Sequence, residues 1–262
     1  MQVGGIRVDA ISDGTFTVHP KYFGADVPAG ARPEFFARDH LAWMPIGCFL
    51  VRAGDRTILV DAGMGPDQDE LPHGMRLVGG QLFAGLGALG VGAADITDVV
   101  ITHFHTDHIG WLFDLAAEPV FPNAELWYGA ADFEYFVTGP GDIRPHLRDG
   151  FLTHRSRQHS LTQHAVVTPG VTAVLTPGHT PGHLCVSLAS GNESLLLLGD
   201  AITCPIQLAE PTWHSFGDVD APTADRTRRS LWQQLRTTPG VGAHFPSLTT
   251  GKVNAATEWV AD

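Results

Sequence analysis

The chain has 262 residues, of which 44% are hydrophobic and 17% charged, enough apolar content for one sizeable core and too much for a disordered polymer. Its formal net charge is −12 with histidine neutral, and no lysine/arginine run interrupts that acidic balance. This argues against nucleic acid and against an anionic membrane surface, both of which demand a basic face, and leaves a small neutral or cationic molecule as the expected partner.

No apolar stretch approaches the roughly 20 residues needed to cross a bilayer. The start MQVGGIRVDAISDG carries no basic segment ahead of an apolar run, so no signal peptide is expected and the chain reads as cytoplasmic. Cys48, Cys185 and Cys204 are an odd number set in apolar sequence, which predicts buried free thiols.

In chain order, short β-type runs recur and end at Gly, Asp or His. The first is IRVDAISDG (6–14). Residues 19–45 are rich in Pro, Gly and aromatics without a clean period, and read as a long loop of the functional or mobile kind. GCFLVRAG (47–54) and TILVDAG (57–63) are strands, followed by a weak helical pattern near 79–89. DVVITH (98–103) predicts a buried strand, then a helix over 109–117, a strand at AELWYG (124–129) and a helix over 129–138.

The second half continues with strands GVTAVLTPGH (170–179), HLCVSLAS (183–190), SLLLLGDA (194–201) and GVGAHFP (240–246). Its best helix is 223–236: Thr223 is the expected N-cap, Asp225 suits the first turn, and Leu231 and Leu235 share a face. Strands alternating with helices, without repeat or linker, imply a single α/β domain over 1–262 with layered sheets.

The chemistry-bearing residues stand at strand ends. Asp61 ends ILVD, His103, His105, Asp107 and His108 follow DVVIT, His179 ends VLTPGH, Asp200 ends LLLLGD and His244 ends VGAH. Three histidines and an aspartate fall within six consecutive positions of THFHTDHIGW (102–111). Buried imidazoles and carboxylates are costly unless they are paired or hold something positive. At i, i+2 on an extended chain, His103 and His105 point the same way and can grip one ion. Asp107 and His108 lie where the chain turns and can face a second.

The donors are nitrogen and carboxylate without thiolate, which suits catalytic zinc, manganese, iron or cobalt rather than a closed structural zinc. A lone strand-end histidine is ordinarily a hydrogen-bonded surface group. That reading is kept for His19, His40, His73, His146, His154, His159 and His164, which have no recruiting spacing. His214, in EPTWHSFGD, is set apart because its loop follows Asp200 and can line the cleft.

THFHTDHIGW, with TPGHTPGH (176–183), LLLGDA and AHFP (243–246), resembles the metallo-β-lactamase-fold hydrolases over nearly the whole chain. The resemblance implies an αββα sandwich with a dinuclear metal site at the edge of the two sheets. It assigns His103, His105 and His179 to one metal, Asp107, His108 and His244 to the other, and Asp200 to the bridge. Asp61, in LVDAG, takes the supporting role behind the ligands that such sites need. Composition leaves both histidines of TPGHTPGH open, and the family pattern picks His179 and gives His183 a supporting place. The implied cofactor is a pair of divalent ions, zinc first, with manganese, cobalt or iron as alternatives. A hydroxide between them would attack a carbonyl or phosphoryl centre, with Asp107 and Asp200 as the catalytic carboxylates.

The cysteine of true zinc β-lactamases is absent from the second site. ISDGTF, VDAGMG and the stretch from GDAITC to DRTRRSL look more like the branch of N-acyl-homoserine lactonases and methyl-parathion-hydrolase-type enzymes. Members of that branch often form homodimers through the N-terminal loop, here 19–45. One departure is Thr203, where many homoserine lactonases have a tyrosine. The expected pocket is apolar, drawn from Phe23, Trp43, Trp111, Thr203, Trp213 and His214, with Phe35, Phe36, Phe83 and Phe216 nearby in sequence.

These features predict a hydrolase for a hydrophobic lactone or ester, with an aryl phosphotriester hydrolase as the alternative. A glyoxalase-type thioesterase or a mononuclear-iron persulfide dioxygenase shares the ligand motif, but the glutathione-using members need a basic cluster that this sequence lacks. A non-catalytic metal-binding scaffold is disfavoured because all seven ligand positions are intact.

Overall fold

A computed structural model of the protein describes residues 1–255 and 258–262. The first half forms a nine-stranded sheet from β1 (Gln2–Val3), β2 (Ile6–Val18), β3 (Ala42–Ala53), β4 (Arg56–Val60), β5 (Gln68–Glu70), β6 (Arg76–Val78), β7 (Asp98–Val100), β8 (Glu125–Gly129) and β9 (Gln158–Leu161). Strands β2, β3 and β4 pair antiparallel, whereas β4, β7, β8 and β9 run parallel. The second half forms a seven-stranded sheet, in sequence order, from β10 (Ala165–Thr168), β11 (Val171–Leu175), β12 (Leu184–Ser190), β13 (Glu193–Leu197), β14 (Gly240–Val241), β15 (Gly251–Val253) and β16 (Trp259–Ala261). The helices are α1 (Leu82–Ala88), α2 (Thr106–Ile109), α3 (Ala130–Asp132), α4 (Pro145–Thr153), α5 (Ile206–Ala209) and α6 (Ala221–Gln234).

The period-2 alternation of the strands decides the layers. Val8, Phe49, Val51, Ile58, Val60 and Val100 face inward and meet Val171, Ala173, Val186, Leu188, Leu195 and Leu197 of the second sheet in one continuous core. Their neighbours Ile11, Leu50, Leu59 and Val99 face outward, where α1 adds Leu82 and Leu86 and α4 adds Leu147 and Phe151. Leu231 of α6 and Leu235 just beyond it cover the other sheet. Helix, sheet, sheet, helix is the resulting order, an αββα sandwich.

Several boundaries differ from the sequence reading. The last long helix starts at Ala221, and its N-cap is Asp220, whose carboxylate accepts the Thr223 N–H at 3.0 Å. Thr223 is therefore inside the first turn. No helix covers 109–117, because the chain is helical only in α2 and is then captured by the loop after β4. There Gly110 N–H donates to the Gly63 carbonyl at 2.7 Å and Trp111 N–H to that of Ala62 at 3.0 Å. A Cβ at Gly110 would lie 2.0 Å from the Met64 carbonyl carbon, so this approach requires glycine.

The 129–138 segment begins as α3 and continues as a π-type turn over Phe133–Val137. Within 240–246 only Gly240–Val241 is strand. In 19–45, Pro20–Phe23 form a 3-10 turn, and β3 starts already at Ala42. Helices α4 and α5 and strands β1, β5, β6, β9, β10, β15 and β16 match no predicted element. All three cysteines are buried and free. No helix among the described residues is long and apolar enough to cross a membrane.

Candidate metal centre

Each site residue lies just past a strand: Asp61 after β4, His103 to His108 after β7, His179 after β11, Asp200 after β13 and His244 after β14. Strands β4 and β7 are parallel neighbours, as are β13 and β14, so their C-terminal ends open on one edge of the sandwich. Two backbone bonds tie the sheets together at that edge. Leu184 N–H donates to the Thr102 carbonyl at 2.7 Å, and Gly47 N–H to that of Ala243 at 2.9 Å.

The donor atoms gather into three overlapping groups: His103, His105 and His179; His103, His108 and Asp200; and Asp107, His108 and His244, with atoms in each group within 4.8 Å of one another. His105 Nδ1 is 3.0 Å from His179 Nε2, and His108 Nε2 is 3.6 Å from Asp200 Oδ1 and 3.7 Å from Asp107 Oδ2. His244 Nε2 lies 3.3 Å from both Asp107 Oδ2 and Asp200 Oδ2, and Asp200 Oδ2 is 3.8 Å from His179 Nε2. Donors on a four-coordinate ion with bonds of roughly 2.1 Å are about 3.4 Å apart, and these separations bracket that value.

His103 Nε2, His108 Nε2 and Asp200 Oδ1 are buried and have no hydrogen-bond partner among the described residues. Orphaned buried donors of this kind are rare unless something fills the space between them. Nitrogen and carboxylate donors with Asp200 common to both ends fit two divalent cations.

The electrostatics agree. Burial, then the neighbouring His108, pushes the His103 imidazole well below its ordinary range. Burial likewise takes His105 down to about 3. Burial also opposes a charge on His108, but Asp107, Asp61 and Asp200 outweigh it and lift that imidazole to about 9. At His244, Asp200 and Asp107 overcome burial in the same way. Burial disfavours ionised Asp107 and Asp200, yet the facing imidazoles hold both below the usual carboxylate range. Positive charge is thus favoured on the side of the cluster where Asp107 and Asp200 face His108 and His244, and disfavoured at His103 and His105.

The outer nitrogens are held by specific acceptors, which orient the rings. Asp61 Oδ2 lies 2.8 Å from His108 Nδ1, while Asp61 also accepts the Thr102 N–H at 2.7 Å and its hydroxyl at 2.9 Å. Asp61 itself has φ +63°, a left-handed conformation that aspartate tolerates better than most residues. The Thr102 hydroxyl is 3.0 Å from His103 Nδ1, and the Pro45 carbonyl is 2.7 Å from His244 Nδ1. His179 Nδ1 meets Asp218 Oδ1 at 2.8 Å, and Arg228 braces Asp218 at 3.2 Å. His183 is turned away from the donor groups: its Nδ1 is 2.8 Å from the Thr176 hydroxyl, and its Nε2 accepts the Asp200 N–H at 3.1 Å.

Sequence reasoning missed three residues here. Asp218 stands behind His179. Asp132, on α3, accepts the Phe104 N–H at 3.0 Å, the Thr180 hydroxyl at 2.8 Å and the Gly182 N–H at 2.6 Å, fastening both histidine-bearing loops to each other. Gly217 lies so close to the rings that a Cβ there would be 3.1 Å from Cε1 of both His105 and His179. None of the three has a sequence spacing that ties it to the ligand motifs, and only tertiary folding brings them in.

The expected aromatic pocket is largely replaced by packing. Phe23 is a core residue stacked on Trp213 at 5.5 Å, and Phe36 flanks both rings. Trp111 donates its indole N–H to the buried Asp13 at 3.0 Å and sits edge-on to Phe83 at 4.8 Å. Trp43 is exposed, with the Arg38 guanidinium 4.2 Å over its ring. Thr203 is fully buried, and its hydroxyl has no partner among the described residues. Phe23, Phe36 and Trp213 turn inward, because apolar faces of that size are worth more buried than lining a wet cleft, whereas Trp43 and Phe216 stay exposed. His214 does line a cavity of about 430 Å³, together with Tyr22, His73, Met75, Ser215 and Phe216.

Fold and donor set together define a class. Residues 42–238 match the metallo-beta-lactamase superfamily, and the chain belongs to it. Among curated proteins it is similar to the probable metallo-hydrolase Rv2300c of Mycobacterium tuberculosis, with 31% identity over 181 residues that cover 58% of this chain and 55% of the relative. It is also similar to the N-acyl homoserine lactonase AttM of Rhizobium radiobacter, 35% identical over 129 residues covering 44% of this chain and 45% of that one. The chain thus spans roughly half the length of these relatives. Among solved structures, AidC, a dizinc quorum-quenching lactonase captured with a product, shares its fold at a TM-score of 0.88 and 24% identity, covering 100% of this chain and 96% of AidC.

Proposed function

We propose that this protein is a metal-dependent hydrolase that opens a hydrophobic lactone or ester, with His103, His105 and His179 holding one divalent ion, Asp107, His108 and His244 a second, and Asp200 shared. The observation that carries the reading is the trio of buried, unpartnered donor atoms on His103, His108 and Asp200. Zinc is the ion of choice for this donor set, and the dizinc lactonase with the same fold supports it.

Bound divalent ions would supply a Lewis acid for the carbonyl oxygen and an ionised water near neutral pH. The chain's own groups do the rest. Asp61, Asp218 and the Pro45 carbonyl fix the imidazole orientations. Asp107 is within reach of the cluster's centre and can carry a proton from water to the leaving oxygen. Burial of nearly the whole cluster excludes bulk solvent and strengthens every electrostatic contact inside.

The test is kcat/KM on metal-reconstituted protein for an acyl-homoserine lactone and for an aryl phosphotriester, with His105→Ala as the blank. A higher lactone value and an inactive variant are expected. Unchanged turnover in His105→Ala would sink the metal reading. A dominant phosphotriester value would favour the second reading.

A further inference from the structure

Helix α6 carries an arginine where its own pattern calls for an apolar residue. Ala224, Arg228, Leu231 and Leu235 recur at the spacing of one helical face, and all four are buried. Arg226 and Arg229 of the same helix are exposed, whereas Arg228 is 4% exposed. A buried guanidinium costs a desolvation that an aliphatic side chain of similar volume does not, so stability alone does not account for it in this stripe.

Its fork reaches two carboxylates. Nη2 is 3.2 Å from Asp218 Oδ2, and Nη1 is 3.0 Å from Asp225 Oδ1. Asp218 Oδ2 also accepts the Ser215 N–H at 3.1 Å, which leaves Oδ1 for His179 Nδ1, 2.8 Å away. The backbone around that histidine is fastened to the same helix and the residues leading into it. Val219 N–H donates to the His179 carbonyl at 2.9 Å, Asp220 N–H to that of Gly178 at 3.0 Å, and the Thr227 hydroxyl to that of Pro177 at 2.6 Å. A Cβ at Gly178, whose φ is +133°, would lie 2.1 Å from the Ala224 nitrogen, so loop and helix meet backbone to backbone. Helix α6 therefore holds the main chain of His179 directly and its ring through Arg228 and Asp218.

We propose that Arg228 is a positioning residue of the metal centre, keeping Asp218 aimed at His179 Nδ1 so that the ring presents Nε2 to the ion it would share with His103 and His105. The proposal rests on the metal-dependent hydrolase reading and adds to it a group that touches neither ion nor substrate. A planar fork can grip Asp218 and Asp225 at once, which a lysine ammonium, a point charge on a flexible stem, does less well. Without the fork, Asp218 Oδ2 keeps only the Ser215 N–H, and the carboxylate can swing away from the imidazole. A ligand histidine that is no longer held from behind binds its metal more weakly, by about tenfold to hundredfold.

The experiment starts from zinc-loaded full-length protein and follows zinc transfer to a chromophoric chelator, with thermal denaturation in parallel. It compares wild type, Arg228→Met, Arg228→Lys and the double variant Arg228→Met/Asp218→Asn. Arg228→Met should weaken one of the two zinc sites about tenfold and leave the other within about threefold. It should also lower Tm, because Asp218 loses its buried countercharge. Arg228→Lys keeps the charge without the fork, so it holds the fold better and should weaken the same site about threefold.

The double variant separates positioning from stability. With the stranded carboxylate gone, Tm should recover toward wild type while the weakened zinc site stays weak. Zinc affinity unchanged in Arg228→Met, both sites weakened equally, or affinity that recovers together with Tm in the double variant would overturn the assignment. Wild type that takes up no zinc would overturn the hydrolase reading itself, whereas equal zinc binding by wild type and Arg228→Met removes only the role of Arg228.

Discussion

Replacing Asp132 with asparagine probes how the two histidine loops are held. One carboxylate oxygen accepts from Phe104 N–H and the Thr180 hydroxyl, and the other from Gly182 N–H, all with the residue fully buried. An asparagine can present a single carbonyl oxygen. With that oxygen facing Phe104 and Thr180, its NH2 group is pushed against the Gly182 N–H, so one bond is lost and two buried donors confront each other. One lost bond to a charged acceptor plus an unsatisfied donor costs about 2–3 kcal/mol. In a chain of this size each kcal/mol moves Tm by roughly 2–4 °C, so a drop of about 4–12 °C is expected in thermal denaturation with chelator present.

Burial, only partly offset by the Gly182, Thr180 and Phe104 contacts, pushes the Asp132 carboxyl up to about 6. A folded-state value above the unfolded one means that the native state binds the extra proton. Wild type therefore gains stability from this group as pH falls from 7 toward 5, and the asparagine variant does not. The gap between the two should widen on acidification. Metal affinity, read by competition with a chromophoric chelator, should fall about tenfold, since Asp132 acts on the ligand loops and not on the ligands. A Tm within 1 °C of wild type together with unchanged metal affinity would refute the clamp.

Asp218→Asn takes the ionised acceptor from His179 Nδ1 and strips Arg228 of its buried partner. Metal affinity at one of the two sites should drop about tenfold to hundredfold while the other site holds, a split that stepwise metal titration resolves. Gly217→Ala places a methyl 3.1 Å from both His105 and His179, closer than ordinary contact. Its expected signature is reduced metal occupancy by elemental analysis with little change in Tm, because the loop is near the surface. Full occupancy would show that the loop simply shifts.

The local chemistry was legible in the sequence because strand periodicity and donor spacing are local properties. DVVI followed by His-x-His-x-Asp-His announces a buried strand that delivers donors at its end, and Asp61, His179, Asp200 and His244 stand in the same relation to β4, β11, β13 and β14. Those patterns, with the resemblance they carry, were enough for two facing sheets and a shared edge. The tertiary structure decided which partner each group meets. Asp218, Asp132 and Gly217 enter through contacts between segments far apart in the chain, which no spacing encodes.

Folding also reversed the role of the aromatics. Phe23, Trp111 and Trp213 looked like pocket residues by their setting in irregular sequence, yet they pack into the interior or onto one another. Large rings go wherever burial is greatest, and that is a property of the whole surface rather than of neighbours in sequence. Tyr22, in the same loop, is likewise buried, and its hydroxyl accepts from Ser215, a residue far away in the chain that no spacing connects to it.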